Sequence, residues 1–197
     1  MTRYGTIAAE IVEQSDSQPA RSAYTHVFLQ GGLGGLAAGL VGYLWEFHGE
    51  HRPRFVVVEP QQADCLDQGA LAGQAARATG SVDSVMAGLA CGETSPLAWR
   101  FLRPAVDDFM TISDDDAVSA MRILAAGSDT DVPIVAGELG VAGLTGLIVL
   151  LQDEQPAGEV GLDGSSCVLF VNTEGATAPA TYWNWLASQP NPSSCAN

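Results

Sequence analysis

Glycines cluster directly after a short apolar run in the first quarter of the chain. Residues 27–45, VFLQGGLGGLAAGLVGYLW, contain six glycines and no charged side chain. Where a strand turns into a helix, glycines let the backbone come within hydrogen-bonding distance of a ligand, and the free amides of the helix N-terminus attract anions. This stretch therefore predicts a loop that binds a phosphate group.

The same glycines are compatible with other interpretations. Gly32, Gly34 and Ala37 fit the pattern G-x-G-x-x-G/A, and Glu59 ends the next apolar run, where a dinucleotide-binding fold holds a ribose hydroxyl. Alternatively, the glycines only allow a helix to pack closely against a strand. A membrane span is disfavoured, because the glycines beside Gln30 interrupt a helix and no second span follows.

Other polar clusters have simpler explanations than catalysis or metal binding. The three acids of SDDDAVSAMRILA, residues 113–125, follow a serine that can cap a helix, and they lie at the positive end of its dipole. A polar loop at a helix end explains His48 and His51 in HGEH. Taken alone, Glu138 is an acid at a helix start and Thr173 is a hydroxyl in a turn. We therefore predict no metal site.

Charge and composition exclude several classes of partner. The 197 residues carry 23 acids and eight basic residues, all of them arginine, for a formal net charge of −15. Such a field repels nucleic acids and anionic membrane surfaces, so we predict neither as a partner. The chain contains no lysine, which excludes chemistry by a lysine amine. Four cysteines without a C-x-x-C pair, and an N-terminus unlike a signal peptide, predict a reduced, cytoplasmic setting.

The elements that would position these residues alternate between strand-like and helix-like patterns. The apolar runs 25–30, 54–59, 107–112 and the start of 166–177 predict strands, and 1–14, 36–47, 95–102, 113–125 and 133–152 predict helices. Residues 61–92 are polar and glycine-containing, with no predicted element. The alternation predicts one α/β unit with a mostly parallel sheet.

Five segments occur in an order and at a spacing that resemble one enzyme family. They are THVFLQGGLGGLAAGLVGYLW, FVVVEPQQADCL, SVMAGLACGETSPLAWRFL, AGELGVAGLTGL and VNTEGAT. They resemble the diaminopropionate ammonia-lyases, which belong with the threonine and serine dehydratases and threonine synthase among the pyridoxal-phosphate-dependent enzymes. The resemblance covers roughly Arg3 to Tyr182 and corresponds to the C-terminal half of such an enzyme.

The resemblance implies a fold and a domain division. The fold is α/β, the parallel-sheet large-domain portion of the tryptophan-synthase-β-like (type II) pyridoxal-phosphate fold. Residues 1–187 form the C-terminal part of the large domain that binds pyridoxal 5′-phosphate, and residues 188–197 form a loose tail. A homodimer, or a companion N-terminal half, is the implied protein partner.

The resemblance also implies the site residues. The loop whose amides hold the cofactor phosphate comprises Gly32, Leu33, Gly34, Gly35 and Leu36. Thr173 matches the hydroxyl residue that faces the pyridine nitrogen, and Glu138 matches a glutamate near the cofactor, although GELGV stands where the family commonly reads GESGA. Cysteines of the family align with Cys65 and Cys91, so a reversible disulfide is an alternative to two buried thiols.

The implied reaction converts the amino acid 2,3-diaminopropionate to pyruvate and ammonia. In the family this chemistry begins when a lysine amine bonds to the cofactor aldehyde, and that lysine precedes the segments found here. We therefore expect a fragment that holds much of a cofactor site but no catalytic residue, and that is inactive alone. The alternative is a non-catalytic α/β module that binds a phosphate or a dinucleotide.

Overall fold

The protein, seen here in a computed structural model, is described for residues 2–19 and 21–187. The predicted tail, residues 188–197, lies outside the described residues. The helices are α1 (Thr2–Gln14), α2 (Gly35–His48), α3 (Cys65–Ala72), α4 (Pro96–Ala105), α5 (Asp114–Ala126), α6 (Ala142–Leu150), α7 (Glu154–Val160) and α8 (Pro179–Ala187). The strands are β1 (His26–Gln30), β2 (Arg54–Pro60), β3 (Asp108–Ile112) and β4 (Val168–Phe170).

The four strands form one sheet in the order β3-β2-β1-β4, and every pairing is parallel. The central strands β1 and β2 are almost continuously apolar and buried, as strands covered on both faces require. In the register of these strands Gln30 lies opposite Val58, so β1 ends beside β2 at the carboxyl edge of the sheet. The predicted α/β fold with a parallel sheet is confirmed.

Two helical layers cover the sheet because successive strand side chains point to opposite faces. Val27 and Leu29 pack into one apolar cluster with α2 and α4, and Phe28 packs into the other cluster with α5 and α6. The loop that follows β1 therefore emerges between the two layers, and α2 begins where that loop ends.

The predicted helix starts agree with the structure. Ser113 accepts a hydrogen bond from the amide of Asp116 at 3.2 Å, and the Asp116 carboxylate accepts one from the amide of Ser113 at 3.2 Å. This capping box confirms that the aspartates belong to the start of α5. Ser95 similarly accepts a hydrogen bond from the Ala98 amide at the start of α4.

Two sequence predictions need correction. The apolar stretch 133–152 is helical only over Ala142–Leu150, because Gly137 and Gly140 pack against the segment 172–175 in an extended loop. The stretch 61–92 contains helix α3, and neither α7 nor α8 was predicted. Across the helices of residues 2–19 and 21–187, none combines the length and the apolar character needed to cross a bilayer.

Candidate cofactor site

The loop after β1 ends in an open helix N-terminus. Gly32 has a φ of 70° and Gly34 a φ of 85°, in the left-handed region that favours glycine. Helix α2 then starts at Gly35 without a side chain capping it and without an acid in its first turn. Within the described part of the chain, the amides of 32–36 donate to no backbone carbonyl. The loop thus presents amides without backbone partners at the positive end of a helix dipole, and the Leu33 amide is hydrogen-bonded to the Cys91 thiol.

These donors border a cavity of about 450 Å³ at the carboxyl edge of the sheet. This volume lies within the usual range for sites that bind small molecules. Five of the seven predicted site residues line the cavity, namely Gly32, Leu33, Gly35, Leu36 and Thr173. Leu33 is 55% exposed, which is unusual for a leucine beside two buried clusters. The loop and Thr173, 143 residues from Gln30 in the chain, thus meet at one cavity.

Gly34 does not line the cavity but faces the protein interior. A Cβ atom at this position would lie 2.8 Å from Cδ1 of Leu102 and 3.1 Å from Cβ of Ala98, both in α4. Such distances are shorter than van der Waals contact allows. Gly34 therefore shapes the loop and permits close packing of α2 on α4.

Glu138 lies beside the cavity rather than in its lining, which here includes the next residue, Leu139. The Glu174 carboxylate accepts a hydrogen bond from the Leu139 amide at 3.2 Å, and the Glu174 carbonyl accepts one from the Gly137 amide at 2.9 Å. Glu138 is half-buried, and burial together with the Glu174 charge raises its pKa. The loops 137–139 and 172–175 thus hold each other in place, and they place Thr173 at the cavity.

A glutamine that the sequence analysis assigned no function also lines the cavity. Gln30 ends β1 and is 2% exposed, and its side-chain nitrogen donates to the Val171 carbonyl at 3.0 Å and to the Thr173 hydroxyl at 2.8 Å. The available signal was an uncharged polar residue directly after the apolar run VFL at the end of a buried strand. Gln30 thereby connects the loop after β1 to the predicted pyridine-binding residue.

Glu59 does not have the role that a dinucleotide site would require. Its side chain is 1% exposed, and its carboxylate accepts hydrogen bonds from the amides of Leu66, at 3.0 Å, and Asp67, at 2.9 Å. Burial raises the pKa of Glu59 to about 7, although these amide hydrogen bonds oppose the shift. Because the carboxylate caps α3 from inside the protein, it is not available to a ribose hydroxyl.

Two thiols lie on either side of Gly32. The Cys65 thiol donates to the Gly32 carbonyl at 3.5 Å, and a Cβ atom at Gly32 would lie 3.6 Å from the Cys91 sulfur. Both cysteines are free thiols in the structure, and burial raises the pKa of each, to about 12 for Cys65. Cys65 is buried and Cys91 is half-buried, and the raised pKa makes Cys65 a poor nucleophile at neutral pH.

The structure shows ordinary roles for the histidines of HGEH. His48 is buried, and its Nδ1 lies 3.0 Å from the Gln18 carbonyl oxygen, whereas His51 is exposed beside Glu50. Over residues 2–19 and 21–187, there is no cluster of three or more His, Cys, Asp or Glu side chains suited to a metal.

Comparison with known proteins gives a consistent result. Residues 1–171 match the family described as "Pyridoxal-phosphate dependent enzyme". The chain is 38% identical to diaminopropionate ammonia-lyase of Salmonella typhimurium, over 93% of the chain and 48% of that relative. Holo diaminopropionate ammonia-lyase from Escherichia coli has a TM-score of 0.83 at 34% identity, covering 93% of this chain and 46% of the other.

A second Escherichia coli structure contains the enzyme with an aminoacrylate-PLP azomethine reaction intermediate. It has a TM-score of 0.81 at 33% identity and covers 93% of this chain and 47% of that one. The chain thus spans about half the length of the relatives that it matches. The predicted type II fold and the predicted cofactor, pyridoxal 5′-phosphate, are confirmed. This chain belongs to the family of pyridoxal-phosphate-dependent enzymes.

Proposed function

We propose that the chain provides the phosphate and pyridine contacts of an ammonia-lyase that converts 2,3-diaminopropionate to pyruvate and ammonia. The observation that carries the proposal is one cavity bordered both by the open N-terminus of α2 and by Thr173. The similarity to diaminopropionate ammonia-lyases supports the reaction and the amino-acid substrate.

In this proposal each residue of the site has a distinct task. The amides of Gly32, Leu33, Gly35 and Leu36 bind the cofactor phosphate. The helix dipole offsets the negative charge of the phosphate, in place of a lysine or arginine. Gly34 gives the loop its shape. The cofactor, when bound, withdraws electrons from the substrate and so makes loss of the β-amino group feasible.

Thr173 and Glu138 belong to the other end of the proposed site. The Thr173 hydroxyl is neutral, so it pairs with a pyridine nitrogen without protonating it. Glu138 lies next to the cavity. Its neighbour Leu139 donates a hydrogen bond to Glu174, which belongs to the loop that carries Thr173. We propose that Glu138 stabilises this side of the site.

The amine that bonds to the cofactor aldehyde is not a side chain of these 197 residues, because they include no lysine. We propose that it comes from an N-terminal half of the enzyme and that residues 1–187 form the C-terminal part of the large domain. The homodimer stays a prediction from the resemblance, and the cytoplasmic location stays a prediction from the cysteine pattern and the N-terminal sequence. A non-catalytic phosphate-binding module is the second candidate, favoured by the absence of lysine.

The phosphate loop can be tested by adding one charge to it. Gly35 lines the cavity at the first position of α2, where an aspartate favours the helix dipole and leaves the fold intact. In Gly35→Asp the carboxylate would repel a phosphate, so affinity for pyridoxine 5′-phosphate should fall at least about tenfold. Calorimetric titration measures the affinity, and this ligand needs no lysine because it has no aldehyde.

The matched control is Gly35→Asn, which adds a side chain of the same shape without the charge. We expect this variant to bind pyridoxine 5′-phosphate more tightly than Gly35→Asp does. Inorganic phosphate should compete with the ligand in the parent chain. Equal affinities for the aspartate and asparagine variants would exclude the loop as the phosphate site.

Catalysis should require a lysine supplied by another polypeptide. The chain incubated with pyridoxal phosphate and 2,3-diaminopropionate should release no pyruvate, whereas addition of a lysine-bearing N-terminal half of a related enzyme should start the reaction. The same half with its lysine replaced by alanine is the control. Pyruvate release by the chain alone would contradict the proposal, and tight cofactor binding with no pyruvate in any mixture would favour the non-catalytic module.

A further inference from the structure

Gln30 is an unusual residue for its position. It ends a central strand whose five residues are all buried, and it is among the largest fully buried side chains of the protein. Burial of an amide is favourable only when its polar atoms find partners. The partners of Gln30 therefore indicate why the position is polar.

The Val171 carbonyl determines which way the Gln30 amide points. A carbonyl oxygen can only accept, so the atom that faces it at 3.0 Å is the amide nitrogen of Gln30 and not the amide oxygen. The second hydrogen of that nitrogen is directed to the Thr173 hydroxyl oxygen at 2.8 Å. The opposite orientation of the amide would place two acceptor oxygens against each other.

The orientation of the amide decides the role of the Thr173 hydroxyl. This oxygen accepts from Gln30, and among the described residues no protein group accepts a hydrogen bond from it. Its own proton is therefore free to point into the cavity that both residues line. Thr173 is exposed there, which keeps the hydroxyl accessible to a ligand.

The Gln30 amide oxygen has no hydrogen-bond partner in the structure, although it is buried. An unpartnered buried acceptor is destabilising, and natural proteins keep such local conflicts mainly at functional sites. An apolar residue of similar size would avoid the conflict, but it would not orient Thr173. The conflict therefore supports a functional role for the donating half of this amide.

We propose that Gln30 is a positioning residue that directs the Thr173 hydroxyl proton toward the ligand, so that the cavity selects a heteroaromatic ring whose nitrogen is unprotonated. The inference rests on the proposed function and deepens it, since it assigns the selection of the ring's protonation state to a residue of β1. A ring nitrogen with a free lone pair accepts from the hydroxyl, whereas a protonated nitrogen has no lone pair with which to accept this proton.

The test compares two ligands that differ at one atom. Pyridoxine 5′-phosphate has the ring nitrogen, and its carbocyclic analogue has a C–H group there. One hydrogen bond corresponds to a preference of about fivefold for the pyridine ligand in the parent chain, measured as a ratio of dissociation constants. In Gln30→Met this ratio should fall to about one, because the hydroxyl is no longer oriented.

Three further variants separate positioning from a structural role. Thr173→Val should abolish the preference, and Gln30→Met should then have no additional effect on it, whereas Thr173→Ser should retain it. Gln155→Met makes the same change at an exposed position of α7 and should leave the ratio as in the parent.

The outcomes distinguish this inference from the proposed function. Tight binding of both ligands with no preference in the parent would overturn the role of Gln30 and leave the phosphate site standing. Equal weakening of both ligands in Gln30→Met, with the ratio unchanged, would show a merely structural glutamine and also overturn it. Binding of neither ligand to the parent would overturn both the proposed function and this inference.

Discussion

Gly34→Asp should remove a large share of the stability of the protein. The substitution forces a residue with a side chain into a φ of 85°, drives its Cβ against Leu102 and buries a carboxylate in an apolar contact. Left-handed strain of about 1–2 kcal/mol and several kcal/mol for an unpaired buried charge add up to at least about 4 kcal/mol. Domains of this size are typically stable by only about 5–15 kcal/mol. Urea denaturation followed by circular dichroism measures the loss.

The neighbouring glycine provides the matched control. A Cβ atom at Gly35 would lie 3.8 Å from the Tyr4 ring, which is ordinary contact, and Gly35 is the first residue of α2. We expect Gly35→Ala to change the free energy of unfolding by less than about 1 kcal/mol, because alanine favours a helix. If Gly34→Asp were as stable as Gly35→Ala, the packing of α2 on α4 described above would be wrong.

Glu59→Gln should change how the stability of the protein depends on pH. Burial raises the folded-state pKa of Glu59 from 4.5 to about 7, so the folded protein holds this proton more tightly than the unfolded chain does. The associated stabilisation is fully present below pH 4.5 and is lost as the pH rises through about 7. A pKa shift of this size corresponds to roughly 3 kcal/mol in the free energy of unfolding. The parent should lose this stabilisation as the pH rises, whereas Glu59→Gln should not.

The measurement is the difference in unfolding free energy between the parent and Glu59→Gln at pH 4, 5, 6, 7 and 8. Subtraction removes the contributions of other titrating groups, and glutamine still offers an oxygen to the amides of Leu66 and Asp67. The exposed Glu46 supplies a control, since Glu46→Gln changes the same charge at the surface. A difference that stays constant from pH 4 to pH 8 would show that Glu59 is not held in a proton-binding environment.

Much of the fold follows from local patterns. The central strands were predictable because continuous apolar runs such as VFL and FVVV can be buried only in a sheet covered on both faces. The start of α5 was predictable because Ser113 and Asp116 bond to each other within one turn. The glycines at positions 32 and 34 predicted a loop before a helix, and both adopt the left-handed backbone that glycine accepts with little strain.

Helix α3 and the loop 133–141 were missed because their causes are distant in the chain. The amides at the N-terminus of α3 donate to the carboxylate of Glu59, which belongs to a strand, whereas the N-cap residue Asp64 accepts from Thr79 instead. In 133–141, contacts of Gly137 and Gly140 with the segment 172–175 override the helical pattern of the sequence. Local propensity is a weak predictor wherever tertiary contacts compete with it.

The predictions about the candidate site also divide into those that the sequence supported and those that needed the tertiary structure. The family resemblance, together with the glycine loop, predicted the cofactor, and the predicted site residues Gly32, Leu33, Gly35, Leu36 and Thr173 line one cavity. Only the tertiary structure showed that Gly34 faces α4, that Glu59 is sealed inside, and that Gln30 donates to Thr173 across 143 residues. Those roles depend on which side chains meet when the sheet forms, and the strand pairings that bring them together are not encoded by any one stretch of the chain.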